Sequence, residues 1–110
     1  MTHFDLKGRI WISVDGEPLL GAGKNELVCK VKELKSLRKA AAEMKMSYRK
    51  AWYSIDQINK LAGQPIVLLQ RGGKNGGEAS ITEFGEKLLE QYQQLQAQFN
   101  DFLKNHKPVV

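Results

Sequence analysis

The sequence predicts a mainly α-helical domain with two small β-hairpins, and three observations lead there. Apolar residues recur at 3- and 4-residue intervals over three central segments and again over a long C-terminal one. Two short runs of branched or alternating apolar residues adjoin turns rich in glycine. No apolar run, Ile66 to Leu69 included, approaches the roughly 18 to 20 residues that cross a bilayer. With 110 residues, 42% apolar and 26% charged, the chain has the size and composition to bury one core, so 1–110 is expected to be a single domain.

The first hairpin is expected over residues 6–20. Ile10, Ile12 and Val14 alternate on one face, Asp15-Gly16 suits a tight turn needing positive φ, and the chain returns through Leu19-Leu20. Pro18 has no N–H to give a ladder, which marks the second strand as short or as an edge.

Three helices are expected over 24–63. The first begins at Asn25 and carries Leu27, Val28, Val31 and Leu34 on one face. Cys29 lies beside that stripe with no histidine or second cysteine nearby, so it reads as a packed or half-exposed thiol rather than a nucleophile. Ser36 can cap a second helix from Leu37 to Met44, whose centre, Ala40-Ala41-Ala42, lets another helix approach closely. After an interruption at Lys45-Met46, Ser47 can cap a third helix running to Ala62-Gly63. At 100° per residue Ala51, Ile55, Ile58 and Ala62 share its inner side, with Trp52 at the margin and read as core. Arg49, Tyr53, Asp56 and Lys60 lie outward, whereas Tyr48 turns toward the inner edge, where it is expected to pack, although its phenol can reach past the helix start.

Residues 66–82 read as a strand, a loop with four glycines between Arg71 and Glu78, and a second strand. Glycines placed between strands, not before a helix, exclude a Walker-type phosphate loop. Thr82 then caps a helix over 82–104. Leu88, Tyr92, Leu95, Phe99 and Phe102 recur along it at spacings of 4, 3, 4 and 3, a seam with Leu89 and Leu103 beside it. About 22 residues span about 33 Å, more than so small a domain needs to cover, so part of the seam is expected to meet a second copy.

Charge is unevenly distributed. Of the formal net charge of +5, residues 1–34 contribute nothing and the last 36 contribute −2, whereas residues 35–74 hold nine basic and two acidic side chains. A basic block confined to one segment suits a polyanionic partner, because cationic side chains displace the counterions condensed on a phosphate backbone. That block coincides with a short break between an alanine-centred helix and a cationic amphipathic one, followed by a strand–loop–strand. This is the order of a winged helix-turn-helix, here with a long C-terminal dimerisation helix.

In that arrangement the third helix enters the major groove of duplex DNA. Arg49, Lys50 and Tyr53 are expected at base edges or phosphates, with Ser47 and Tyr48 at the helix start. Arg71, Lys74 and Asn75 are expected to hold the wing on the DNA backbone. Leu88, Tyr92, Leu95, Phe99 and Phe102 are the expected homodimer contacts. The alternative from another class is a winged-helix protein–protein interaction module that uses the C-terminal helix and keeps its basic face for solubility.

Several runs resemble the N-terminal DNA-binding domain of ModE-type molybdate-responsive regulators, relatives of the LysR-type domain. They are Trp11-Ile12 with Val14-Asp15-Gly16-Glu17-Pro18-Leu19-Leu20-Gly21, the Ala40-Ala41 pair, Met46-Ser47-Tyr48-Arg49-Lys50-Ala51-Trp52, Gly72-Gly73-Lys74-Asn75-Gly76-Gly77 and Leu88-Leu89. The similarity runs from about residue 9 to 103. It implies a dimeric bacterial or archaeal transcriptional regulator whose turn and third helix read DNA. Lys45 and Lys35 stand where such domains tend to carry glycine, so either a left-handed non-glycine residue or a different turn is expected. The chain ends at Val110, before any molybdate-binding C-terminal domain of that kind, so molybdate is not an expected partner.

Enzymatic activity is not expected. His3 and His106 lie near the termini, and no carboxylate pair, His-Cys-Asp cluster or metal-ligand spacing is apparent, so neither cofactor nor metal is called for. The N-terminus lacks the regions of a signal peptide and a single cysteine cannot form an internal disulfide. A cytoplasmic protein with no membrane partner is the expectation.

Overall fold

Left-handed residues at three turns set the path of the chain in the computed structural model, which describes residues 2–70 and 78–108. The first turn joins β1 (Ile12–Val14) to β2 (Glu17–Leu20), an antiparallel hairpin in which Asp15 (φ 50°) and Gly16 (φ 84°) both take positive φ. Pro18 pairs with Ser13, and the register shifts between Ile12 and Ser13. The ladder is shorter than the expected 6–20, because residues 2–11 form no strand.

α1 (Ala22–Leu34) begins three residues before Asn25. Its first turn is closed by Asn25 N–H donating to Gly21 O at 2.8 Å, and Ala22-Gly23-Lys24 carries no large apolar residue that periodicity could detect. α2 (Leu37–Glu43) and α3 (Tyr48–Ala62) start at the expected caps, Ser36 Oγ accepting from Lys39 N and Ser47 Oγ accepting from Lys50 N, both at 3.1 Å. Leu27, Val28 and Val31 from α1, Ala40 and Ala41 from α2, and Ala51, Ile55 and Ile58 from α3 meet in one core with Leu19 and Leu20 of β2. Alanines at the meeting of α2 and α3 remove the side-chain bulk that would hold the two axes apart.

Lys35 (φ 55°) and Lys45 (φ 56°) make the other two turns, so the left-handed geometry is present despite the absence of glycine. At Lys35 the backbone N–H closes α1 onto Val31 O at 2.8 Å, while its carbonyl accepts from Ala79 N at 3.1 Å. One residue thus ends a helix and anchors a strand. At Lys45 the N–H donates to Ala42 O at 3.1 Å and the following Met46 N–H reaches Ala41 O at 3.0 Å, satisfying carbonyls left over at the end of α2.

β3 (Val67–Leu69) pairs antiparallel with β4 (Ala79–Ile81), forming the base of the wing. Asn59 of α3 clamps this base: its side-chain carbonyl accepts from Ile66 N (2.8 Å) and Val67 N (3.1 Å), and its amide donates to Val67 O (2.9 Å). Thr82 joins the same base to α4 (Glu83–Lys104), donating its hydroxyl to Pro65 O at 2.8 Å and accepting from Gly85 N at 2.9 Å. Gly85 leaves no room for a side chain. A Cβ there would lie 2.5 Å from Ile66 O and 2.9 Å from Ile81 Cγ2. Gly85→Ala is therefore expected to destabilise the domain by about 1 to 3 kcal/mol, the overpacking cost exceeding alanine's helical preference because the obstacle is backbone. An unchanged urea midpoint would refute that packing.

Principal-axis extents of 57 × 31 × 20 Å reflect α4, whose C-terminal half runs on beyond the helical core. The N-terminal segment crosses it closely, and a Cβ at Gly8 would meet Phe99 Cζ at 2.7 Å. Among the described residues no helix is long and apolar enough to cross a membrane.

Candidate nucleic-acid interface

α2, the left-handed Lys45 turn and α3 present one continuous exposed surface. Arg38 and Lys39 on α2, Lys45 in the turn, and Ser47, Arg49 and Lys50 at the start of α3 are all exposed. The ion pairs among the described residues engage Lys30 with Glu43, Lys32 with Glu86, Lys60 with Asp56 and Lys87 with Glu83. Lys35, Arg38, Lys39, Lys45, Arg49 and Lys50 carry no carboxylate partner within that set, which leaves a positive field over the N-terminal half of α3.

Individual positions differ in what they can do. Ser47 spends an oxygen lone pair on the Lys50 amide and keeps its hydroxyl proton for an outside acceptor. Tyr48 is 40% exposed rather than packed at the inner edge, with the Arg38 guanidinium 4.9 Å from its ring centroid, a cation–π contact that ties α2 to the start of α3. Arg49 and Tyr53 are one helical turn apart and share the outward face, whereas Lys50 projects about 100° around from Arg49 toward the flank. Lys60, further along, is held above the ordinary lysine pKa by the hydrogen bond and charge of Asp56, 2.9 Å away, so the pair is close to neutral as a unit.

Trp52 corrects the sequence reading. It is 41% exposed rather than core, because Ala51, Ile55 and Ile58 already fill the inner side of α3. Its ring stands edge-on to Tyr53, itself 56% exposed, with centroids 6.1 Å apart and planes at 84°. Arg71, Lys74 and Asn75 of the wing tip lie outside the described residues.

The expected seam on α4 divides into two parts. Tyr92 is 2% exposed and donates its hydroxyl to Ile10 O at 3.1 Å, so it serves its own domain, as does buried Leu89; Leu88 and Phe99 are half-buried. Leu95 and Phe102 stand 40% and 56% exposed. Trp11 in the N-terminal segment, 56% exposed, lines with Ile10, Ile12, Leu95 and Phe99 an open cleft of about 350 Å³ against α4. Periodicity along one helix could not reveal Trp11 as part of that surface. Nor could it reveal the Asn59 clamp, since a lone asparagine at mid-helix gives no sign of its partners. Cys29 is half-buried, 3.9 Å from Asn25 Oδ1, as the sequence suggests.

Comparison with known proteins places this geometry. Residues 25–86 match the model of the bacterial regulatory helix-turn-helix proteins of the lysR family. The chain is 28% identical over 103 residues to the molybdenum transport protein ModE of Azotobacter vinelandii, covering 94% of this chain and 38% of that protein. It is 36% identical over 78 residues to the molybdenum-pterin-binding protein MopB of Rhodobacter capsulatus, covering 71% of this chain and 29% of that one. The chain thus spans well under half the length of these relatives. Among solved structures, the DNA-binding domain of BenM in complex with benA site 1 DNA superposes with a TM-score of 0.56 at 17% identity, covering 74% of this chain and 86% of that one. ArgP of Mycobacterium tuberculosis gives a TM-score of 0.56 at 19% identity, over 76% of this chain and 29% of that one. The likeness in structure is one of fold, and the family match extends over more than half the chain, from α1 through the wing into α4: the chain belongs to the lysR family of bacterial regulatory helix-turn-helix proteins.

Proposed function

We propose that these residues bind duplex DNA sequence-specifically, as a symmetric homodimer that regulates transcription by reading an inverted repeat with α3 and the wing. The observation that carries this reading is the run of six exposed cations from the α1–α2 turn to the start of α3, Lys35, Arg38, Lys39, Lys45, Arg49 and Lys50, none paired with a carboxylate among the described residues. Membership of the lysR family supports it, as does the fold shared with a domain solved on DNA. Exposed Leu95, Phe102 and Trp11 give the second copy an apolar surface, and a two-fold axis there turns one short contact into two spaced ones.

Arg49 and Lys50 separate the roles within the site. Arg49→Ala is expected to lower discrimination at one position of the half-site by about 1 to 3 kcal/mol, because an outward arginine in the major groove reads a base edge. Lys50→Ala, on the flank, should weaken specific and random duplexes alike and reduce the salt slope by about 1 per protomer. Neither should move the unfolding midpoint, since both side chains are exposed. Anisotropy titrations on matched and single-mismatch duplexes give the answer, and a reversed pattern would exchange the two roles. The second reading, a protein-binding module built on Leu95 and Phe102, predicts no retention on duplex DNA at low salt.

A further inference from the structure

We infer that Trp52, with Tyr53, reads thymine in the major groove through the C5-methyl group, so that the target carries a thymine close to the base contacted by Arg49. The inference rests on the DNA-binding reading above and adds a chemical identity to one position of the site.

Three features lead to it. An indole 41% exposed and a phenol ring 56% exposed sit side by side on a helix whose inner face is already filled, so their apolar surface is left for something outside the domain. The edge-on arrangement of the two rings holds Trp52 in place before any partner arrives, and the same indole lines an apolar cleft of about 250 Å³ with Pro65, Leu68 and Leu69 at the wing base. Asp56 lies next to the pair on the outward side of α3 with its charge balanced by Lys60 at 2.9 Å, so that stretch, unlike the helix start, offers phosphate no uncompensated cation among the described residues. This strip therefore suits base edges, while the DNA backbone is left to the cations nearer the helix start.

Of the four bases, thymine alone presents an apolar group in the major groove. A methyl group seated against an indole or phenol ring leaves water and removes aromatic surface from water at the same time. Arg49 and Tyr53 are four residues apart, about 6 Å along the helix axis, which corresponds to about two base pairs of rise. The thymine is accordingly expected within about two base pairs of the position that Arg49→Ala relaxes.

The test uses the full chain and the tightest duplex recovered from a random pool. Each thymine in the half-sites is replaced in turn by deoxyuridine, which keeps the pairing and lacks only the methyl. Anisotropy titrations should show one position per half-site where the replacement weakens wild type about fourfold, the effect of withdrawing one methyl group from burial. Trp52→Ala should bind the thymine duplex more weakly and no longer distinguish uracil from thymine there, while Arg49→Ala still does. Trp52→Phe, which keeps an aromatic edge, should retain part of the discrimination and guards against a fold effect of the alanine variant. Wild type that binds the selected duplex tightly but is indifferent to uracil at every position would overturn the inference. So would a Trp52→Ala protein that keeps the fourfold difference, which would leave the aromatic pair to a protein partner. Failure of DNA binding itself looks different: no duplex is enriched, and none is retained at low salt.

Discussion

Raising the salt from about 50 to 200 mM is expected to weaken duplex binding by about ten-thousandfold to a few hundred-thousandfold. Residues 35–74 supply nine cations per protomer. With about half of them on phosphates, a dimer makes about eight to ten contacts, and the logarithm of the affinity should fall against the logarithm of salt with a slope of about −7 to −9. The effect is large because each contact releases a condensed counterion, and it should appear on random as well as selected duplexes. A slope near zero would mean that the exposed cations around α3 do not meet phosphate.

Placing opposite charges on the exposed part of α4 should separate the dimer. Leu95→Glu with Phe102→Lys alters two side chains that water already reaches in the protomer, so the fold should survive, whereas in a dimer both charges would be buried in apolar contact. Phe99 is less suitable for such a test, because its ring lies against Gly8 within the same chain. Sedimentation should report a monomer at tens of micromolar where wild type is dimeric. The affinity for an inverted repeat should fall by about 10²- to 10⁴-fold, as linkage between two half-sites is lost. A wild type that is already monomeric would contradict the dimer, and a double variant that still sediments as a dimer would place the two-fold axis elsewhere.

The helices and the turn between α2 and α3 were legible because each depends on local chemistry. Ser36, Ser47 and Thr82 cap where short polar side chains precede apolar periodicity, and all three accept the expected backbone N–H. Lys35 and Lys45 were legible only through the resemblance, which puts glycine there and left a left-handed residue or a different turn as the choices; both lysines take positive φ. What escaped depends on contacts between distant residues. Trp52 sits at the margin of a helical wheel, and only the volume filled by Ala51, Ile55 and Ile58 decides that it stays outside. Tyr92 belongs to the periodic seam, yet the carbonyl of Ile10, 82 positions earlier, draws its hydroxyl into its own domain. The seam spacing is the same for an internal partner and an external one, so periodicity cannot separate Tyr92 from Leu95. Asn59 bonds the wing base from mid-helix and leaves no sequence signal.

Whether two copies of α3 read duplex DNA about a two-fold axis is decided by selecting bound duplexes from a random pool with the full chain. Enrichment of an inverted repeat is expected, its half-sites centred about 34 Å apart, some 10 base pairs, or a multiple of that, so that both copies of α3 face the same side of the duplex. A pool that shows no enrichment after repeated rounds, or that yields only a single unrepeated half-site, would contradict it.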